Sequence, residues 1–390
     1  MKIAIYTNAY KPIINGVVNT ITLLKEGLNA QGHEVIIFAP DYYGYRDQEE
    51  GVYRFTSVDL TRKVRFPVAI PWCPRLNRVL RNFGPDIVHA HHPFVLGPIA
   101  LRMARHLKVP LVITFHTQYE QYAHYIPVFR GDFIQRLTRN RIRWFVASAD
   151  LVTTPAETIR ELLRSYGVKK EIIMLPNPIS LSGFNYQEGG TVRRQWGLSA
   201  EDLVLISVGR LGIEKNLGFM LEAFAVITSL VAEMPVRLVL VGDGPEEARL
   251  REMGAKLGLG DRVIFAGSVP YAAIPSYLAA ADLFLMSSIA EVKPLVLLEA
   301  MGAGLPIVAV KASGAVDTVI HGNEGLLTEL DKHEYANAVV DLLRDKERRM
   351  AMSRRAKETV GRYALDKVTA QLAALYEVLI DAKLHAIEQS

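Results

Sequence analysis

The chain has 390 residues, half of them hydrophobic and 22% charged, with a formal net charge of +4; this exceeds one ordinary domain, favours two full cores and excludes a disordered chain. The single cysteine, Cys73, excludes an internal disulfide and fits a reducing compartment. No signal-peptide pattern precedes the first strand-like run and no stretch of about 18 apolar residues occurs, so no transmembrane helix is expected and a cytosolic protein is.

Short apolar, β-branched runs alternate with longer amphipathic stretches, the pattern of βα units and parallel sheets. The fold class expected is α/β, with two doubly wound, Rossmann-like domains. In the first half the predicted strands are Ile3–Tyr6, Val35–Phe38, Ile87–His89, Leu111–Phe115, Leu151–Thr153 and Ile172–Leu175. LPNPISLSGF, Leu175 to Phe184, has two prolines and little periodicity and reads as the connection between domains. Beyond it the predicted strands are Leu203–Val208, Val236–Val241, Val263–Phe265, Leu283–Met286 and Ile307–Val310. The tail from Ala364 to Leu384 carries an apolar helical stripe. The domains expected are 1–178 and 179–365, followed by a last helix over 366–390. Charge divides unevenly between the halves: residues 1–178 hold 23 Lys and Arg against 14 Asp and Glu, the rest 22 against 27. The first domain is therefore expected to face an anionic surface.

In open α/β sheets ligands bind beyond the carboxyl ends of the strands, and the unusual residues cluster there. After the first strand, Gly16 would let a backbone approach a ligand at a helix start, or would serve turn geometry alone. His89, His91 and His92 end one strand and His116 another, with His124 beyond. Zinc is possible in principle but lacks a supporting cysteine or helical spacing; hydrogen bonding to sugar hydroxyls or to a reacting centre is the favoured reading, with His116 best placed. Tyr119, Tyr122 and Tyr125 follow His116 and would line an amphipathic acceptor path, core packing being the competing account. On FIQRLTRNRIRWF, Arg136, Arg139 and Arg143 share a helical stripe, with Phe133, Leu137 and Trp144 on an adjacent face. A basic helix with aromatic residues suits an anionic bilayer surface; a solvated face over a buried stripe is the alternative. No nucleic-acid motif accompanies it.

In the second half, Arg210 and Lys215 flank the turn Gly209–Asn216 and suit a diphosphate, a surface turn with its charges in water being the alternative. Gly242-Asp243-Gly244-Pro245 reads mainly as a tight turn and is not a dinucleotide fingerprint. No Asp-x-Asp is present to hold a hard cation, so cations and helix dipoles must neutralise the phosphates without a metal. Glu291 falls in a loop and Glu299 eight residues on, in a helix for which Pro294 is the natural first residue. A loop carboxylate, a helix start and a helical carboxylate converging on one cleft fit a nucleotide sugar.

In combination, the Gly16 loop, TFHT with His116, SVGRLGIEKN, LVGDGP, FAGSVP, and Glu291-x7-Glu299 followed by AMGAGLP resemble the family 4 glycosyltransferases of the GT-B fold, over nearly the whole chain. The resemblance implies retaining, metal-independent transfer from a nucleotide sugar bound mainly by the second domain, the acceptor on the first, and a last helix crossing back to the first. By motif, Arg210 and Lys215 would hold the diphosphate, Glu299 the ribose hydroxyls and Glu291 the sugar hydroxyls. The amides of Leu295 and Val296 would meet the distal phosphate, and His116 the sugar near its reacting carbon. HTQYEQYAHY and the basic first domain are most similar to bacterial enzymes that glycosylate diacylglycerol, which implies UDP-glucose as donor, a membrane lipid as acceptor and a peripheral place on the cytoplasmic face of the membrane. A soluble sugar, polyol or polysaccharide acceptor is the second expectation. The sequence departs from the family where Pro294 replaces the usual glycine and Lys293 a smaller, polar or aromatic residue. Lys293 would add charge near the phosphate or point to water, and turnover lost through Pro294 would leave a nucleotide-sugar-binding protein.

Overall fold

The computed structural model describes residues 1–59, 67–116, 132–184, 188–289, 291 and 293–389. They form two units, Met1–Pro178 together with Leu365–Ser390, and Ile179–Ala364.

The first unit is built on seven parallel strands: β1 (Lys2–Tyr6), β2 (Glu34–Pro40), β3 (Val52–Phe55), β6 (Ile87–Ala90), β7 (Leu111–Thr114), β8 (Leu151–Thr154) and β9 (Ile173–Met174), in spatial order β3-β2-β1-β6-β7-β8-β9. β1 is KIAIY with four of its five residues buried, as a strand covered by helices on both faces requires. A separate antiparallel pair, β4 (Ser57–Asp59) and β5 (Pro67–Ala69), follows β3. The helix Gly16–Ala30 starts from Asn15, whose side chain accepts from the Val18 amide at 2.9 Å, an ordinary N-cap. The last helix, Leu365–Glu388, packs on it and sends Val368, Leu372 and Tyr376 into the core beside β1.

The second unit has six parallel strands, β10 (Leu203–Val208), β11 (Val236–Val241), β12 (Val263–Gly267), β13 (Leu283–Met286), β14 (Ile307–Val310) and β15 (Gly325–Thr328), in order β12-β11-β10-β13-β14-β15. One face packs on the helices Leu217–Leu230 and Lys332–Arg344, the other on Leu295–Gly302 and Lys346–Val360. In each sheet the chain order reverses beside its first strand, between β1 and β6 and between β10 and β13. These two switch points are where an open α/β sheet leaves a crevice beyond its carboxyl edge.

Candidate active site

In the second unit the switch point carries the charged residues. After β10 the chain turns through Gly209, with φ +150°, and a single 3-10 turn, Ile213–Lys215. The GDGP loop after β11 braces this turn backbone to backbone. Leu211 donates to the Asp243 carbonyl at 2.7 Å, and Glu246 donates to the Leu211 carbonyl at 3.0 Å. A Cβ on Gly242 would fall 2.0 Å from the Gly209 carbonyl oxygen, and one on Gly244 would fall 2.4 Å from that of Leu211. Both glycines are therefore required by close approach, a role beyond the tight turn expected of them.

Lys215, so placed, pairs with the Glu291 carboxylate, and the buried Ser287 hydroxyl donates to the Lys215 carbonyl at 2.8 Å. Gly209, Arg210, Lys215, Ser287, Ser288 and Val296 line one pocket at this point, and Arg210 is exposed. Pro294 is the residue before the helix Leu295–Gly302 rather than its first residue, extended at φ −70° and ψ 110°. The first amides of a helix have no partner within it, so those of Leu295 and Val296 form its positive end beside the pocket. Gly314 is pressed against the same loop: a Cβ there would fall 2.7 Å from Pro294 Cδ and 2.9 Å from the Glu291 carbonyl oxygen.

Glu299 sits one turn further along the helix, buried. Burial pushes its carboxyl up to about 7, opposed by a hydrogen bond from the Tyr271 hydroxyl. Tyr271 was not singled out in the sequence, although it follows FAGSVP beyond β12, where the strand-end rule points. Lys293 is half-buried and does not point to water. Its ammonium donates to the Asp317 carbonyl oxygen at 2.5 Å and lies 5.4 Å from the Tyr363 ring centre. Burial lowers it to about 8, with the Asp317 charge acting the other way.

Gly16 and His116 belong to the first unit. Gly16 is exposed at the start of its helix. The strand-end histidines divide in character. His89 is fully buried and satisfied on both ring nitrogens, by the Tyr376 hydroxyl at 2.5 Å and by Thr114 Oγ1 at 2.7 Å. It is a structural residue, which corrects its inclusion among sugar-facing histidines. His92 accepts at Nδ1 from the Asn8 amide at 3.1 Å. His116 keeps a small exposed edge and hydrogen-bonds His91 at 2.8 Å. Burial drives His89 and His116 down to about 3 and His92 to about 4, with neighbouring histidines adding to the effect at His116, so the group is neutral near pH 7.

Tyr119, Tyr122, His124 and Tyr125 lie outside the described residues. The basic segment forms the helix Asp132–Ser148, buried along Ile142, Phe145 and Val146. Arg136, Arg139 and Arg143 are exposed on it, and so are Leu137 and Trp144, at 60% and 46%. Arg141 stacks 4.7 Å from the Trp144 ring centre and Arg139 5.4 Å from that of Tyr166. Apolar and cationic groups thus share one outward face. Among the described residues no helix is long and apolar enough to cross a membrane.

Two family models cover the chain, "Glycosyltransferase Family 4" over residues 14–182 and "Glycosyl transferases group 1" over residues 190–359. The alpha-monoglucosyldiacylglycerol synthase of Streptococcus pneumoniae is 32% identical over 352 residues, 88% of this chain and 78% of that protein. The chain belongs to the family 4 glycosyltransferases. It is accordingly an enzyme of the hexosyltransferase class. The GDP-mannose-dependent alpha-mannosyltransferase of Corynebacterium glutamicum is 28% identical, over 97% of this chain and 89% of that one. Among solved structures, Anabaena HepE in complex with UDP superposes with a TM-score of 0.77 at 22% identity, over 97% of this chain and all of that one. At that identity the likeness establishes the fold, which is GT-B with two Rossmann-like domains.

Proposed function

We propose that this glycosyltransferase moves glucose from UDP-glucose to a membrane lipid such as diacylglycerol, with retention at the anomeric carbon and without a metal ion. The observation that carries the donor assignment is the Lys215–Glu291 pair beside Arg210 and the start of the Leu295–Gly302 helix. A lysine ammonium has three donors, so Lys215 can hold Glu291 and a phosphate oxygen together. Arg210 adds a bidentate grip and the Leu295 and Val296 amides a fixed dipole, which together neutralise a departing diphosphate. Glu299 takes the ribose hydroxyls and Glu291 those of the sugar. Retention then proceeds by front-side attack, with positive charge developing at the anomeric carbon and the leaving phosphate receiving the acceptor proton. His116, from the first unit, hydrogen-bonds the transferred sugar.

In this reading residues 179–365 bind the donor, and 1–178 with 366–390 serve the acceptor and the membrane. Support for a lipid acceptor comes from the outward face of Arg136, Arg139, Arg143 and Trp144 and from the synthase at 32% identity. The enzyme then works as a peripheral protein on the cytoplasmic face of an anionic bilayer. The mannosyltransferase at 28% identity makes GDP-mannose the competing donor. Radiolabelled UDP-, GDP- and ADP-sugars offered with a lipid extract, and separately with soluble sugars and polyols, test the whole proposal. Label moving from UDP-glucose into the organic phase supports it, and label moving only into soluble acceptors overturns the lipid assignment.

A further inference from the structure

His91 is fully buried, with its ring centre 4.2 Å from that of His89 and 5.1 Å from that of His116. Its Nδ1 faces His116 Nε2 at 2.8 Å, and its own Nε2 has no hydrogen-bond partner among the described residues. Burial and the neighbouring imidazoles hold both rings neutral. One of the two facing nitrogens therefore carries a hydrogen and the other a lone pair.

Two arrangements satisfy that contact, and they differ in what remains at His91 Nε2. If His116 donates, His91 must carry its hydrogen on Nε2, leaving a buried N–H with nothing to bond. If His91 donates from Nδ1, its Nε2 keeps only a lone pair. An orphaned buried donor is the rarer and costlier defect, whereas an unfilled acceptor is tolerated more often. The second arrangement wins.

We infer that His91 is a positioning residue: its Nδ1–H donates to His116 Nε2 and fixes His116 as the neutral tautomer protonated on Nδ1. A ring fixed this way offers a hydrogen-bond donor at Nδ1, and its one basic nitrogen is already occupied. His116 then acts on the sugar by donating to an oxygen and not as a general base. This functional consequence rests on the proposed contact of His116 with the transferred sugar, whereas the tautomer itself does not.

Long-range proton–nitrogen correlation spectra of the full-length protein, labelled with 15N in histidine, read the tautomer directly. Expected are a pyrrole-type Nδ1 and a pyridine-type Nε2 on both His91 and His116. A pyrrole-type Nε2 on His116 would overturn the inference. The functional arm compares His91→Phe, which fills the ring space without the donor, with His91→Asn, whose amide can replace the Nδ1–H. The phenylalanine variant should lose about 10- to 100-fold in kcat with little change in donor KM, and the asparagine variant should recover most of it. Equal loss in both folded variants, or none in either, counts against the inference, and if neither folds the wild-type spectrum decides. His116→Ala with undiminished transfer, beside an unchanged wild-type tautomer, would sink the sugar contact and leave the tautomer standing.

Discussion

Lys215 and Glu291, 76 residues apart in the chain, form an ion pair at the β10/β13 switch point of the second unit. In the proposed mechanism the two have unequal tasks, Lys215 on the diphosphate and Glu291 on the sugar. Glu291→Ala is expected to lower kcat about 100-fold while UDP affinity changes by no more than about 3-fold, because an interaction used in the transition state is removed. Lys215→Ala should weaken UDP as well. Titration calorimetry with UDP beside a transfer assay separates them, and equal losses of affinity in both variants would contradict the division of labour.

Glu299 supplies a pH dependence whose sign can be worked out. Its carboxyl is pushed up to about 7 by burial, against an ordinary value of 4.5. A raised value means that the folded state holds the proton more tightly than the unfolded state. The associated stability is present below the unfolded value and is lost as pH rises through 7. Glu299→Gln should therefore raise the melting temperature at pH 8 and change it little at pH 4. Ribose hydroxyls donate best to the ionised form, so UDP should bind more weakly at pH 6 than at pH 8, and this difference should vanish in the glutamine variant. Tyr271→Phe removes the bond that opposes the shift and should move the midpoint higher.

Gly242 allows a more local test. A Cβ there would fall 2.0 Å from the Gly209 carbonyl oxygen, on a backbone with φ +132°. Gly242→Ala is expected to cost on the order of 2–3 kcal/mol, read as a lower denaturant midpoint, and to loosen the turn that carries Arg210 and Lys215. Gly258→Ala, also at positive φ but with open space around its Cβ position, is the control for backbone strain alone.

The exposed face of the Asp132–Ser148 helix predicts salt-sensitive binding to vesicles. Replacing Arg136, Arg139 and Arg143 together by Gln should weaken co-sedimentation with anionic vesicles by roughly 100-fold, at roughly 1 kcal/mol for each cation near the surface. Trp144→Ala should weaken it further in a manner that added salt does not reproduce. Binding of the triple variant at wild-type strength would remove this helix from the membrane proposal.

The parallel strands were legible because strands buried on both faces are short apolar runs, as in β10, LVLISV, and β14, IVAV. β3 escaped because its four residues include Arg54, whose charge is satisfied by Asp47 and by the Pro40 and Lys11 carbonyls, partners a local pattern cannot reveal. β15 escaped because GLLT opens on a glycine and closes on a threonine, leaving an apolar run of only two residues after a polar turn. At the site, the two glutamates and the helix start between them could be read from spacing along one segment. Tyr271 could not be tied to Glu299, because a hydrogen bond between separate elements leaves no period in the chain. For the same reason His89 was grouped with the ligand-facing histidines: Tyr376, which satisfies it, is 287 residues away.

That distance also bears on how the polypeptide is made. Val368, Leu372 and Tyr376 complete the core around β1, yet they are translated after all of Ile179–Ala364. A nascent chain still attached to the ribosome can finish its later unit first, while the earlier one waits with the hydrophobic seat of its last helix uncovered. Chaperone demand during synthesis should accordingly fall on the amino-terminal part of the molecule, until the helix that closes it has left the ribosome.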